Sequence, residues 1–222
     1  MGQILSVNVG RAEPNPYKSA KSTGIGKRPV DGPVEVRAPG PKRGGLGSGL
    51  VGDFVGDTQH HGGDLQAVYA FQREDLDAWA ERLGRELPNG FFGENLTTTG
   101  MDVNEARVGE VWQMGDTLRL QVTSPRIPCA TFRGWMGERA WAKTFVAAGR
   151  PGTYLSVVVP GAVRAGDEVT VVHRPEHDVT AALVFRATTT ERDLLPQLLA
   201  AGDDLEPEIA EAARERRLVV LD

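Results

Sequence analysis

The 222-residue chain is 40% hydrophobic and 25% charged, ordinary proportions for a polypeptide that buries a core. It holds no run approaching the roughly 18 apolar residues of a membrane span, and its opening MGQILSVNVG lacks the parts of a secretory leader. With a single cysteine, an internal disulfide framework is excluded, so a cytoplasmic protein without membrane partners is expected. The net charge of −5 is uneven: residues 1–50 carry eight Lys/Arg against three Asp/Glu, and the remainder 17 against 27. A nucleic-acid-binding domain is usually basic overall, so no nucleic-acid partner is expected. The basic first segment reads either as a solvated loop or as a local anion site.

Twenty-seven Gly and fourteen Pro recur along the whole chain, as they do where turns join many short strands. Strands are expected at Ile4–Val9, Val34–Ala38 and Gln66–Phe71. Glu74–Gly84 spaces Leu76, Trp79 and Leu83 on one helical face, with Gly84 as a natural stop. Leu118–Thr123 alternates as a half-buried strand does, Glu138–Ala148 is a further helix candidate, and Tyr154–Val159 and Glu168–His173 complete the strands. From about Val179 the pattern turns helical. Thr190 and Asp193 are capping candidates for a helix carrying Leu194, Leu195, Leu198 and Leu199, with Pro196 expected to kink it. Glu206-Pro207 then opens a second helix running to about Arg217. The expected architecture is mainly β (α+β): a β-rich body over residues 1–177, then a small α-helical extension over 178–222.

Cys129 follows the stiff segment Thr123-Ser124-Pro125-Arg126-Ile127-Pro128. Two prolines would hold a thiol in fixed geometry, and Arg126 would favour the thiolate, the reactive and metal-binding form. A buried structural cysteine is the commoner fate of a lone Cys. Asp57-Thr58-Gln59-His60-His61-Gly62-Gly63-Asp64 places His61, a potential anion donor or acid–base group, beside two glycines that permit close backbone approach; the bland alternative is a polar turn. Asn89-Gly90-Phe91-Phe92-Gly93-Glu94-Asn95-Leu96 could read a heterocycle edge or simply turn the chain. Gly24-Ile25-Gly26-Lys27-Arg28-Pro29 offers a nonspecific phosphate cradle without Walker A spacing. Two patterns are set aside. His173 and His177 are spaced like a helical zinc pair, but Pro175 lies between them. Met1–Ser6 fits a short myristoylation pattern, yet the same residues read as a first strand.

Together TGIGKRPVDG, GLVGDFVGDTQHHGGDLQAVYAF, NGFFGENLTTTGM, VGEVWQMGDTLRLQVTSPRIPCATF and PGTYLSVVVPGAVRAGDEV resemble, in the family's order, a MOSC domain, named for the C-terminal domain of molybdenum cofactor sulfurase. The resemblance covers about residues 20–175. The helical tail more loosely resembles the three-helix extension of stand-alone bacterial members, which include reductases of N-hydroxylated bases. The resemblance implies a MOSC-type β-barrel with a few peripheral helices and a molybdenum cofactor, a Mo-pterin with Cys129 as the protein's sulfur ligand. It further implies Lys27 and Arg28 near the pterin phosphate, Arg126 as positive charge near the metal, and His61 and Asn95 around the cofactor. Asp57 and His61 are the candidates to relay a proton.

The expected activity is reduction of an N–OH compound to an amine, the cofactor supplying the redox step. The chain shows no flavin, haem or nicotinamide motif and cannot furnish the usual thiolates of an iron–sulfur cluster, so electrons are expected from a separate donor protein. Two alternatives stand beside it: a sulfur carrier or cofactor-delivery protein using a Cys129 persulfide or thiolate, and a Cys129–His61 hydrolase. The helical tail could equally pair two copies into a homodimer.

Overall fold

The computed structural model describes residues 2–218. Its strands are β1 (Gly2–Val9), β2 (Glu13–Pro14), β3 (Ser22–Thr23), β4 (Arg28–Pro29), β5 (Val34–Val36), β6 (Val68–Gln72), β7 (Leu96–Thr99), β8 (Val111–Met114), β9 (Leu118–Pro125), β10 (Thr153–Val159), β11 (Gly161–Val163) and β12 (Glu168–His173). Its α-helices are α1 (Arg73–Leu83), α2 (Ala130–Met136), α3 (Trp141–Ala148), α4 (Ala181–Thr189), α5 (Leu195–Leu198) and α6 (Pro207–Glu215).

Seven strands close a barrel in the order β12-β8-β9-β10-β6-β7-β1, with β1 pairing back onto β12. Closure removes the open edges on which another chain could pair. Every neighbouring pair is antiparallel except β6 and β7. Those two run parallel because α1 carries the chain back across the sheet, the connection that parallel strands require. Gly84 ends α1 in the left-handed conformation, φ 64°, which a glycine adopts without a Cβ penalty.

Alternation along β6 explains where the two main cores sit. Val68 and Ala70 face the barrel interior with Ile4, Leu96, Trp112, Leu120 and Leu155. Tyr69 and Phe71 face outward, into an aromatic core shared by Trp79, Phe92, Phe132, Trp141 and Phe145. Both faces of β6 are therefore buried, and its sequence reads as a continuous apolar run rather than an alternating one. A third core of Val179, Val184, Leu195, Leu198, Leu205 and Ala213 holds α4–α6 together and takes Val108 from the barrel. Phe185 of α4 reaches back into the aromatic core.

The observed elements differ from the expected ones at identifiable places. Gln66 belongs to a short 3-10 turn over Asp64–Gln66, so β6 begins two residues later. The strands β7 and β8 were not expected: one is a Thr-rich run of four residues, the other opens on Val-Trp-Gln, and both are too short to show a period. Helix α4, capped by Thr180, whose Oγ1 accepts from the Leu183 backbone N–H at 3.2 Å, was not among the expected helices, and Thr190 is its C-terminal cap rather than the N-cap of the next helix. Pro196 sits in the first turn of α5, where its missing N–H costs nothing, so it opens a helix instead of kinking one.

Candidate functional site

The PRIPC segment leaves the end of β9 and delivers Cys129 to the N-cap of α2. Around it a cleft forms against the outward face of the barrel wall, between Tyr69 and Tyr154 and the loops carrying Gly24, Asp53, Asp57 and His61. The two tyrosines are register partners on β6 and β10, with ring centroids 5.1 Å apart. Cys129, His61, Asp57, Lys27, Asn95 and Arg126 all line this one cleft. Arg28 does not: it is exposed on β4, where it pairs with Val9. Successive side chains along an extended segment point to opposite faces, so Lys27 and Arg28 cannot both face the cleft.

Cys129 is a poised thiol. Burial pushes its pKa up, but hydrogen bonding from His61, the positive charges of His61 and Arg126, and the Phe132 backbone N–H outweigh that and hold it at about 6. Cys129 is thus largely thiolate at neutral pH, the form that binds soft metals. Arg126 is 6% exposed. It donates to the Phe92 carbonyl oxygen and lies over Phe132, 3.8 Å from the ring centroid, and Tyr69, 5.2 Å. Its charge is therefore stabilised by a carbonyl and aromatic faces.

Other expected contacts are partly engaged by the protein itself. Lys27 forms an ion pair with Asp53, the two side chains 8% and 1% exposed. Asp53 also accepts from the Gly10 backbone N–H at 2.7 Å and the Asn95 amide at 2.9 Å. Asn95 completes its set by accepting from the Tyr69 N–H at 3.1 Å and donating to the Asn8 carbonyl at 3.3 Å, which locks β6, β7 and β1 together. The Asp57 carboxylate pairs with Lys18 at 2.5 Å and His60 at 3.0 Å, and its carbonyl accepts from the His61 N–H at 3.0 Å. The burial penalty is overcome by Lys18 and His60, leaving Asp57 at about 2. Asp57 thus shapes the loop that presents His61. The glycines after His61 serve the same end. A Cβ at Gly62 would lie 2.5 Å from the Gly47 carbonyl, and one at Gly63 2.7 Å from the Lys42 backbone; the close backbone approach is to the neighbouring loop.

Sequence reasoning missed Asp53, Tyr69, Tyr154 and Glu94. Asp53 sits in GLVGDFVGD, where a carboxylate among glycines was its available signal. The tyrosines read as ordinary strand core. Glu94 is fully buried and accepts from the Gly90 N–H, the Phe92 N–H at 3.0 Å and Thr97 Oγ1 at 2.9 Å, tying up the loop whose Gly93 lines the cleft.

A closed barrel with one cysteine-bearing cleft on its outer wall, followed by three packed helices, defines the class. The MOSC domain family model matches residues 57–170. YiiM of Escherichia coli is 30% identical over 196 residues, 84% of this chain and 81% of that protein. The solved structure of YiiM from Geobacillus stearothermophilus superposes with a TM-score of 0.76 at 26% identity, covering 97% of this chain and 99% of that one. A Gibberella moniliformis protein named "Reductase" is 28% identical over 177 residues, 78% of this chain but 30% of that protein's length. The chain belongs to the MOSC domain family.

Proposed function

We propose that this protein binds a molybdenum cofactor through Cys129 and reduces N-hydroxylated compounds to amines. The observation that carries the reading is a single thiolate held near neutral pH beside a buried guanidinium in a cleft. Among the described residues no three His, Cys, Asp or Glu side chains converge as a metal site, so a metal at Cys129 would bring its remaining ligands with it. A Mo-pterin does so through its dithiolene sulfurs, and the donor set fits that group. The name of the Gibberella relative adds support for a redox role.

When bound, the cofactor supplies two-electron chemistry. Conversion of R–NHOH to R–NH2 breaks one N–O bond and consumes two electrons and two protons, releasing water. Cys129 would anchor the metal, and His61 would hold the Cys129 sulfur in its ionised form. Arg126 would offset the charge of the pterin phosphate and dithiolene, while Lys27, paired with an Asp53 that Asn95 holds in turn, would offer its remaining ammonium N–H donors rather than net charge. His61 is the better placed of the two candidate proton relays, because the Asp57 carboxylate is already committed to Lys18 and His60. Electrons would come from a separate donor protein, and the cytoplasm is the compartment in which the lone thiol stays reduced.

The test is turnover: protein from a cofactor-making host, supplied with a chemical reductant, should convert benzamidoxime to benzamidine, or a hydroxylamino base to its amine. A sulfur carrier would instead acquire a cyanolysable sulfur on Cys129 and leave these compounds untouched. That outcome would contradict the reductase reading.

A further inference from the structure

A second groove runs from the Cys129 cleft to the C-terminal helices. His61, Gln66 and Tyr154 line both, so the two spaces share a wall. Beyond them the groove is floored by Ile127, Val184 and Ile209 and closed by Glu206 at the start of α6. Two acceptors stand out in its mixed polar and apolar lining. The Gln66 Oε1 is buried and has no hydrogen-bond partner among the described residues, a costly state unless a ligand supplies the donor. The Glu206 carboxyl is pushed above its ordinary range, chiefly by burial, despite hydrogen bonding from Ser124 and the nearby charge of Lys42. Lys42, His60, His61 and Arg217 line the groove beside the carboxylates Glu206, Glu208 and Glu211, so neither sign of charge prevails and the selectivity falls to the acceptors themselves.

We propose that this groove is the substrate-recognition subsite, in which Gln66 and Glu206 accept hydrogen bonds from the N–H groups of a flat, amidine-like or aminoheterocyclic base, while Tyr154 and Ile127 pack against its ring. The proposal rests on the reductase reading of the Cys129 cleft and adds a discrimination: cationic or neutral N–H donors enter, carboxylate-bearing compounds do not. It also gives the helical extension a part in the site, because Glu206 comes from it. An acceptor pair of which one oxygen is buried and unpartnered rejects ligands that leave it unpaired more strongly than an apolar wall rejects a poor fit.

Calorimetric titration of the intact protein with benzamidine, and separately with benzoate, tests this directly. Benzamidine should bind and benzoate should not. Glu206→Gln and Gln66→Leu should each weaken benzamidine by about tenfold, the scale of losing a hydrogen bond to a charged group. Asp203→Asn, an exposed change outside the groove lining, should leave it unaltered. Thermal melting of each variant checks that it is folded, and either substitution suffices if the other does not fold. Equal binding of the two probes, or undiminished benzamidine binding in the folded variants, would overturn the subsite. If that happens while N-hydroxylated compounds are still turned over, the reductase reading stands; intact selective binding without turnover would keep the subsite and overturn that reading.

Discussion

Glu94 shows how one buried group sets a pH dependence. Its pKa lies at about 7, raised chiefly by burial against the backbone and Thr97 hydrogen bonds that favour its ionised form. A folded-state value above the ordinary 4.5 means that protonation favours folding. This contribution is complete below about pH 4.5 and is lost as pH rises through about 7. Urea midpoints should therefore carry a component that declines between pH 5 and 8. Glu94→Gln should remove that component and cost about 1–3 kcal/mol, because its NH2 group must face an N–H or O–H donor now paired to an oxygen. A variant that keeps the pH slope would contradict the assignment. Asp57 works in the opposite sense. With its value lowered to about 2, its contribution is present above the ordinary carboxylate pKa and fades as pH falls from about 4 towards 2. Asp57→Asn should therefore be less stable than wild type at pH 5, with the gap between their denaturation midpoints narrowing at pH 2.5; a gap unchanged between the two would contradict the assignment.

Part of the candidate site, though not Glu94, was legible beforehand. Cys129, Arg126, His61 and Lys27 line one cleft, the grouping that the order of the motifs implied. Arg28 was misplaced because its neighbour Lys27 takes the inward direction. The Asp53 hub was invisible, since nothing in sequence links residues 10, 27, 53 and 95.

At the scale of elements, the aromatic core decides where the cleft can be. Phe92 is fully buried and stacks edge-on against Phe132, Trp141 and Phe145, while its carbonyl receives Arg126. Phe92→Ala should cost about 3–5 kcal/mol of stability by chemical denaturation; a loss below about 1 kcal/mol would mean that this core is not tightly packed. The longer strands and α1 were readable from periodicity. The strands β7 and β8 were not, because four residues cannot display a period, and α4 was hidden because its cap, Thr180, follows a run of polar residues that reads as loop.

At the scale of the molecule, the helical extension is stitched to the barrel rather than appended to it. Val108 sits in the core of the extension, and Phe185 in that of the barrel helices. Shared cores couple the unfolding of their parts. Scanning calorimetry should show one transition for the full chain, and a chain ending at residue 177 should melt at a lower temperature with Phe145 and Val108 uncovered. Two separated transitions in the full chain would show that the extension folds as an independent unit.

The central claim, that Cys129 anchors a molybdenum cofactor, is tested most directly by the molybdenum content of protein purified from a cofactor-making host, wild type beside Cys129→Ser. The account predicts near-stoichiometric metal in the wild type and its loss in a folded variant. Folded wild-type protein that carries no molybdenum, or a variant that retains it in full, would contradict the account.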